Sequence, residues 1–406
     1  MTTHLELSET ALKRAGALWT AREIAQQPAS WLRTLDLIRE HAAAIAGFLA
    51  PLLARPDLRI ILTGAGSSAF IGGCLAPLLL RRLDRRVEAI ATTDLLSGPT
   101  QYLQRDVPTL LVSFGRSGSS PESVAVVDLT ERLLRDCHQL VFTCNEQGTL
   151  YQRCRGRANS LAILLPPETH DQSFAMTSSF TAMMLAALLV FDGHDRDLRH
   201  DHDRGAGDSV AQVARATQEF LAEHNATLRT LAAESYSRVV YLGSNGFKAL
   251  AREAALKLME LSDGKVVAAF DSPLGFRHGP KTIVTGDTLV FVFVSNDPYT
   301  RRYDLDLLRE LRADARAGRI IAITAQADES PSQGNSHPQG ASPAPGEWLH
   351  VAGLAEAGDG DLYFPYVVCA QLYAFHRSLA LGNTPDQPSH SGTVTRVVHG
   401  VTIHTL

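Results

Sequence analysis

Two stretches of this 406-residue chain follow one plan at a fixed spacing of 179 positions. "RIILTGAGSSAFIGGCLAPLLLRR" reads as strand, Gly/Ser turn and helix, and "RVVYLGSNGFKALAREAALKLMEL" repeats it with Gly243 answering Gly64. "TLLVSFGRSGSS" begins at Thr109 and its counterpart "TLVFVFVSNDPYTRRYDLDLLRELR" at Thr288, at the same offset. "RIIAITAQ" then falls about where "QLVFTCN" predicts it. A strand, turn and helix plan repeated in this way predicts a parallel sheet with helices on both faces. Its duplication predicts an α/β chain of two tandem, doubly wound parallel-sheet domains. A helical segment over 1–50 precedes them, the domains run over 51–205 and 206–385, and 386–406 forms a tail. The copies differ at one turn: the first has SGSS where the second has SNDPYT.

Composition narrows the partners. Hydrophobic residues make up 45% and charged residues 20%, as in ordinary globular domains. A formal net charge of −5 gives no basic face for nucleic acid. The opening "MTTHLELSETALKRAG" lacks the apolar core of a secretory signal, and no apolar run reaches the ~18 residues of a membrane helix. Cys74, Cys137, Cys144, Cys154 and Cys369 are dispersed, which suits free thiols in a reducing compartment. The expectation is a cytoplasmic protein without nucleic-acid or membrane partners. His194, His200 and His202 stand among aspartates in "FDGHDRDLRHDHDRGAGD", but without apolar framing they read as a solvated linker rather than a metal site. The Pro/Gly/Ser-rich stretch over 328–346 reads as a surface insertion with no chemistry of its own.

Three Ser/Thr-rich turns precede helices. Gly64, Gly66 and Ala69 fit the G-x-G-x-x-A dinucleotide pattern, with Asp94 after the next strand. Ser67 and Ser68 within that turn, and a second Ser-rich turn one strand later, are not needed for NAD. Ser117, Ser119 and Ser120 come just before a helix that opens at Pro121. A helix N-terminus with added hydroxyls suits a phosphate monoester, with Arg116 adding charge. The plainer account is capping by Ser119 or Ser120, which explains one hydroxyl but not three. The hydrolase pattern G-x-S-x-G fails because Ser119 stands at the last Gly position. Ser173, Thr177, Ser178 and Ser179 lie before an apolar helix and suit sugar hydroxyls, phosphate or simple capping.

Glu253, Lys257 and Glu260 recur at i, i+4 and i+7, on one face of a helix. An exposed ion-pair stripe has the same pattern. Yet this helix follows the second Gly turn, and "FDSPLGFRHGPK" follows it with Arg277, His278 and Lys281. A carboxylate, a lysine and a histidine near a phosphate cradle could move protons beside a carbonyl.

These residues carry a resemblance. "ALKLMEL…RHGP", "SGSSPES", "GAGSS" and "AREIAQQP" resemble the signatures of SIS (sugar isomerase) domains in the isomerase half of glucosamine-6-phosphate synthase. "TAREIAQQPASW", "SFGRSGSSPES", "DQSFAMTSSFT" and "SGTVTRVVHGVTIHTL" are together similar to the AgaS subfamily. The resemblance implies flavodoxin-like, three-layer αβα domains and an amino-sugar-phosphate deaminase/isomerase that turns galactosamine 6-phosphate into tagatose 6-phosphate and ammonia. It implies that Ser68, Ser117, Ser119 and Ser120 hold the phosphate, and that Ser67, Thr177 and Ser178 line the sugar. Glu260 would move the proton between C1 and C2, Lys257 would be its helical companion, and His278 would open the ring from a neighbouring subunit. It also implies a homodimer or larger assembly with shared sites and no metal or organic cofactor. Two departures stand out: no glutaminase domain is present, and no lysine follows "DQP", where Ser391, Gly392, Thr393 and Arg396 lie instead. A plain tagatose-6-phosphate ketose/aldose isomerase and a non-catalytic sugar-phosphate sensor are the alternatives.

Overall fold

The first strand of each repeat pairs with the third at the same relative register. Arg59 lies opposite Thr109, and Arg238 opposite Thr288. The 179-residue offset of the sequence is thus built into both sheets. A computed structural model describes residues 2–192, 206–326, 348–398 and 400–406. His194, His200, His202 and the 328–346 stretch lie outside them. The chain divides into two compact units, Met1–Ala214 together with Asn383–Leu406, and Arg215–Gly382.

After a short antiparallel strand pair (Thr3–His4 with Leu7–Ser8) and a helical turn over Glu9–Arg14, the first unit has helices α1 (Leu18–Ala25), α2 (Gln27–Glu40) and α3 (Ala42–Leu53). Strand β1 (Arg59–Thr63) leads to α4 (Ser67–Leu83) and β2 (Arg86–Ala89). Then come β3 (Thr109–Gly115), α5 (Pro121–Leu133), β4 (Cys137–Thr143), β5 (Ser160–Leu164) and α6 (Ser178–Asp192). The strands are parallel in the order β2-β1-β3-β4-β5. All of β1 and nearly all of β3 is buried, as expected for strands covered on both faces. Leu111 and Val126 share one apolar cluster on the α5 side.

In the second unit α7 (Ala206–Ala233), which begins before the division, leads to β6 (Arg238–Gly243), α8 (Gly246–Leu261) and β7 (Val267–Asp271). Next are β8 (Thr288–Phe293), α9 (Pro298–Asp314), β9 (Arg319–Thr324), β10 (Trp348–His350) and α10 (Asp359–Ala380). This sheet is also parallel, in the order β7-β6-β8-β9-β10. Strand periodicity sorts its two faces. Val240, Leu242, Val290 and Val292 pack with Leu307 and Leu308 of α9. The alternating Tyr241 and Phe291 stack at 5.1 Å, and Phe291 meets Tyr373 of α10. Both units are therefore three-layer αβα domains. Among the described residues no helix is long and apolar enough to cross a membrane.

Candidate active site

The turns after β1, β3 and β5 come out at the same end of the first sheet, because its strands are parallel. In the turn after β1, Gly66 has φ of 57°, and a Cβ on Gly64 would lie 2.6 Å from the Ser68 Cβ. The tight turn therefore needs glycine at Gly64 for space and favours it at Gly66 for conformation. It buries Ser67 and Ser68 at the start of α4, and the Ser68 hydroxyl reaches the Met176 sulfur at 4.0 Å.

The SGSS turn after β3 is held from behind. Asn145 Nδ2 donates to the Ser117 carbonyl (2.9 Å), and Leu150 N donates to the Gly118 carbonyl (2.8 Å). Gly118 has φ of 60°, and a Cβ there would lie 2.9 Å from Thr143 Oγ1. Ser120 occupies the N-cap position of α5, but its side chain makes no cap hydrogen bond. Its hydroxyl donates to Ser123 Oγ at 2.7 Å, and Ser119 Oγ accepts from Thr149 N at 3.0 Å. The Ser120 hydroxyl therefore does not cap α5, and Ser119 serves instead the first N–H of the short helix Thr149–Cys154. The positive end of α5 is left with a collar of serine hydroxyls that has the chemistry to take an anion.

The third turn is organised by two carboxylates that sequence reasoning missed. Asp171, wholly buried, accepts from the backbone N–H groups of Thr177 (2.9 Å), Ser178 (3.0 Å) and Ser179 (3.0 Å), and from the hydroxyls of Thr177 (3.1 Å) and Ser179 (2.5 Å). It is the cap of α6, supplied from six to eight residues upstream. The Ser178 hydroxyl donates to the Glu23 carbonyl (2.7 Å) and accepts from Gln26 Nε2 (3.0 Å). Thr177 and Ser178 thus spend their hydroxyl protons inside the fold. The Glu23 carboxyl, on α1, accepts from the Ser173 N–H at 3.2 Å and also from the Ser173 hydroxyl and the Gln172 N–H. Burial, and the negative charge of Asp171, push Glu23 up to about 8 against those bonds. The signals available were the Glu in "AREIAQQP" and an Asp ahead of Thr-Ser-Ser.

Arg116 and the C-terminal tail complete this end. The Arg116 guanidinium donates to the carbonyls of Ser173 (3.4 Å), Phe174 (3.2 Å) and Arg396 (2.9 Å). Arg396 in turn donates to the Asp171 carbonyl, and burial together with the Arg116 charge lowers its pKa. Asp386 accepts from Trp19 N (3.1 Å) and Thr20 N (2.8 Å) at the start of α1. Ser391 and Thr393, in the stretch that lacks lysine, hydrogen-bond to each other at 2.7 Å.

The proton-transfer candidates lie in the second unit. The stripe on α8 is not an exposed one: Glu253 and Lys257 are fully buried, and Glu260 is half-buried. Lys257 Nζ lies 3.6 Å from Glu253 Oε1 and pairs closely with Glu260. Lys257, buried, thus holds the one of the two carboxylates that reaches the surface. In the following turn His278 is exposed. Arg277 pairs with Glu310 at 2.7 Å, and Lys281 pairs with Glu310 and with Asp314 at 2.5 Å, which commits both cations to α9.

The second unit's counterpart of the SGSS turn is filled by the chain's own carboxylates. Asp304 on α9 accepts from Ser244 Oγ (2.5 Å) and Ser295 N (3.0 Å). Asp359, the first residue of α10, accepts from Ser295 Oγ (2.6 Å) and Asn296 N (2.8 Å). Burial pushes Asp304 up to about 7.

Sheet order, turn chemistry and duplication define a sugar-isomerase scaffold: the SIS domain model matches residues 52–192 and 234–343, and the chain belongs to the SIS domain family. Within it, the chain is 46% identical over 395 residues to D-galactosamine-6-phosphate deaminase AgaS of Escherichia coli, covering 97% of this chain and 98% of that protein. The AgaS of Shewanella sp. (strain ANA-3) is 43% identical over 404 residues, covering 99% and 95%. The crystal structure of tagatose-6-phosphate ketose/aldose isomerase from Escherichia coli superposes with a TM-score of 0.84 at 43% identity, over 95% of this chain and 96% of that one.

Proposed function

We propose that the protein is an amino-sugar-phosphate deaminase/isomerase that converts galactosamine 6-phosphate and water to tagatose 6-phosphate and ammonia. The observation that carries this reading is the SGSS turn, with three hydroxyls at the N-terminus of a helix whose N-cap side chain, Ser120, makes no cap hydrogen bond. Its relatives' names supply the substrate. Ser117, Ser119 and Ser120, with Ser68, hold the phosphate, and Ser67 with the Thr177–Ser178 turn shapes the sugar's surroundings. His278, delivered from a neighbouring subunit, assists ring opening. Glu260, held by Lys257, takes the C2 proton of the open aldehyde and returns it at C1. The product of that transfer is a C2 imine. Water adds to it and ammonia leaves, which gives the ketose. The amino sugar brings its own nitrogen, so no lysine is needed at the carbonyl. The enzyme acts in the cytoplasm as a homodimer or larger assembly.

The test offers galactosamine 6-phosphate and follows ammonia and ketose 6-phosphate together. Equal amounts of the two are expected. Ketose without ammonia would leave a plain isomerase, and binding without turnover a sensor. Glu260→Gln should lower kcat by about 10²-fold or more; unchanged turnover would remove Glu260 from the mechanism.

A further inference from the structure

Arg116 opens the SGSS turn, and a cation at that position reads from the sequence as a charge for the phosphate. Its geometry says otherwise. The side chain is only 6% exposed, and its fork spans two separate segments. One Nη meets the carbonyls of Ser173 and Phe174, and the other meets the Arg396 carbonyl. Each of those segments is fixed again elsewhere. The Ser173 N–H and hydroxyl are held by Glu23, and Phe174 N donates to the Asp386 carbonyl at 3.0 Å. The Asp386 carboxylate caps α1, and Arg396 donates to the Asp171 carbonyl. Arg116 thus ties the start of the phosphate turn to both the 171–174 turn and the tail.

We propose that Arg116 is a positioning residue and not a phosphate ligand: by donating to three carbonyls on two segments it fixes the SGSS turn against the sugar-side turn and the C-terminal tail. This rests on the functional reading above only for what the turn holds. A planar guanidinium with donors on both arms satisfies such a set, whereas the ammonium of lysine is a single point. Lysine therefore keeps the charge and loses the tie, which separates the two roles.

The full-length chain provides two readouts. Arg396 is the sole Lys or Arg in 383–406, so tryptic release of 397–406 without any ligand reports undocking of the tail. Arg116→Lys and Arg116→Gln should both speed that release by about tenfold, the scale of losing hydrogen bonds from a charged group. Inorganic phosphate binding, measured by calorimetry, should weaken as much in Arg116→Lys as in Arg116→Gln. A direct ligand predicts the reverse: Arg116→Lys would bind phosphate like the wild type, and the tail would be cut at the wild-type rate. Either result overturns the proposal. Should the Arg116 variants fail to fold, Arg396→Lys keeps the cleavage site and leaves Arg116 in place. Loosening the tail in this way should weaken phosphate binding severalfold, and unchanged binding would overturn the proposal. A wild-type chain that binds no phosphate would instead refute the functional reading, and the cleavage rates would still decide the role of Arg116.

Discussion

Asp171→Asn removes little volume and no contact with solvent, yet it should be among the most damaging single changes in the first unit. The carboxylate accepts five hydrogen bonds, two at Oδ1 and three at Oδ2. An asparagine can turn its oxygen toward the three, but its amide then faces the Ser178 N–H and the Thr177 hydroxyl. Two charge-assisted bonds are lost at about 1.5–3 kcal/mol each, and donor faces donor in a fully buried site. The sum is about 3–6 kcal/mol, larger than the ~1 kcal/mol of an exposed helix cap. In a unit of roughly 240 residues, that lowers the melting temperature by about 10 °C. The assay is urea unfolding at pH 7 followed by far-ultraviolet circular dichroism, with calorimetry for the midpoint. The charge of Asp171 is also one reason the Glu23 carboxyl sits near 8, so the variant should bring Glu23 down. A loss below about 1 kcal/mol would show that the cap does not carry this weight.

Ser120→Ala should change unfolding free energy by less than about 1 kcal/mol, because its hydroxyl caps nothing, while raising KM for the phosphosugar about tenfold; a large stability loss with unchanged KM would make it an ordinary cap. Glu23 is raised in the fold from 4.5 to about 8. Its contribution is therefore full below pH 4.5 and lost as pH rises through 8. Unfolding curves between those limits should show wild-type stability falling relative to Glu23→Gln, and parallel curves would refute the shift. Gly118→Ala places a Cβ 2.9 Å from Thr143 Oγ1 at a φ of 60°. It should cost about 2 kcal/mol in urea unfolding and weaken phosphate binding.

The repeat was legible because parallel strands buried on both faces leave long apolar runs, and two such runs at one offset locate two sheets. Which face of a helix meets the core is harder to read. Glu253, Lys257 and Glu260 share a face by spacing alone, but only packing against α10 and β7 decides that two of them are buried. Asp171 and Glu23 escaped notice because their partners depend on tertiary closure: Glu23 meets Ser173 across 150 positions. The direction of Arg116 was likewise invisible, since a residue beside a serine turn gives its charge but not its aim. That Asn383–Leu406 joins the first unit follows from the bonds of Asp386 and Arg396, which no local pattern announces.

The carboxylates of Asp304 and Asp359 give the two halves different mechanical fates. In the second unit the turns after β6 and β8 and the start of α10 are cross-linked permanently, by anions that are part of the chain and cannot dissociate. On the proposed reading, the matching turns of the first unit meet an anion that arrives and leaves with each turnover. The phosphosugar is then a removable cross-link among those turns, and the firmness it lends them scales with its concentration. On that reading, duplication has yielded one half whose turns are always braced and one whose turns are braced on demand.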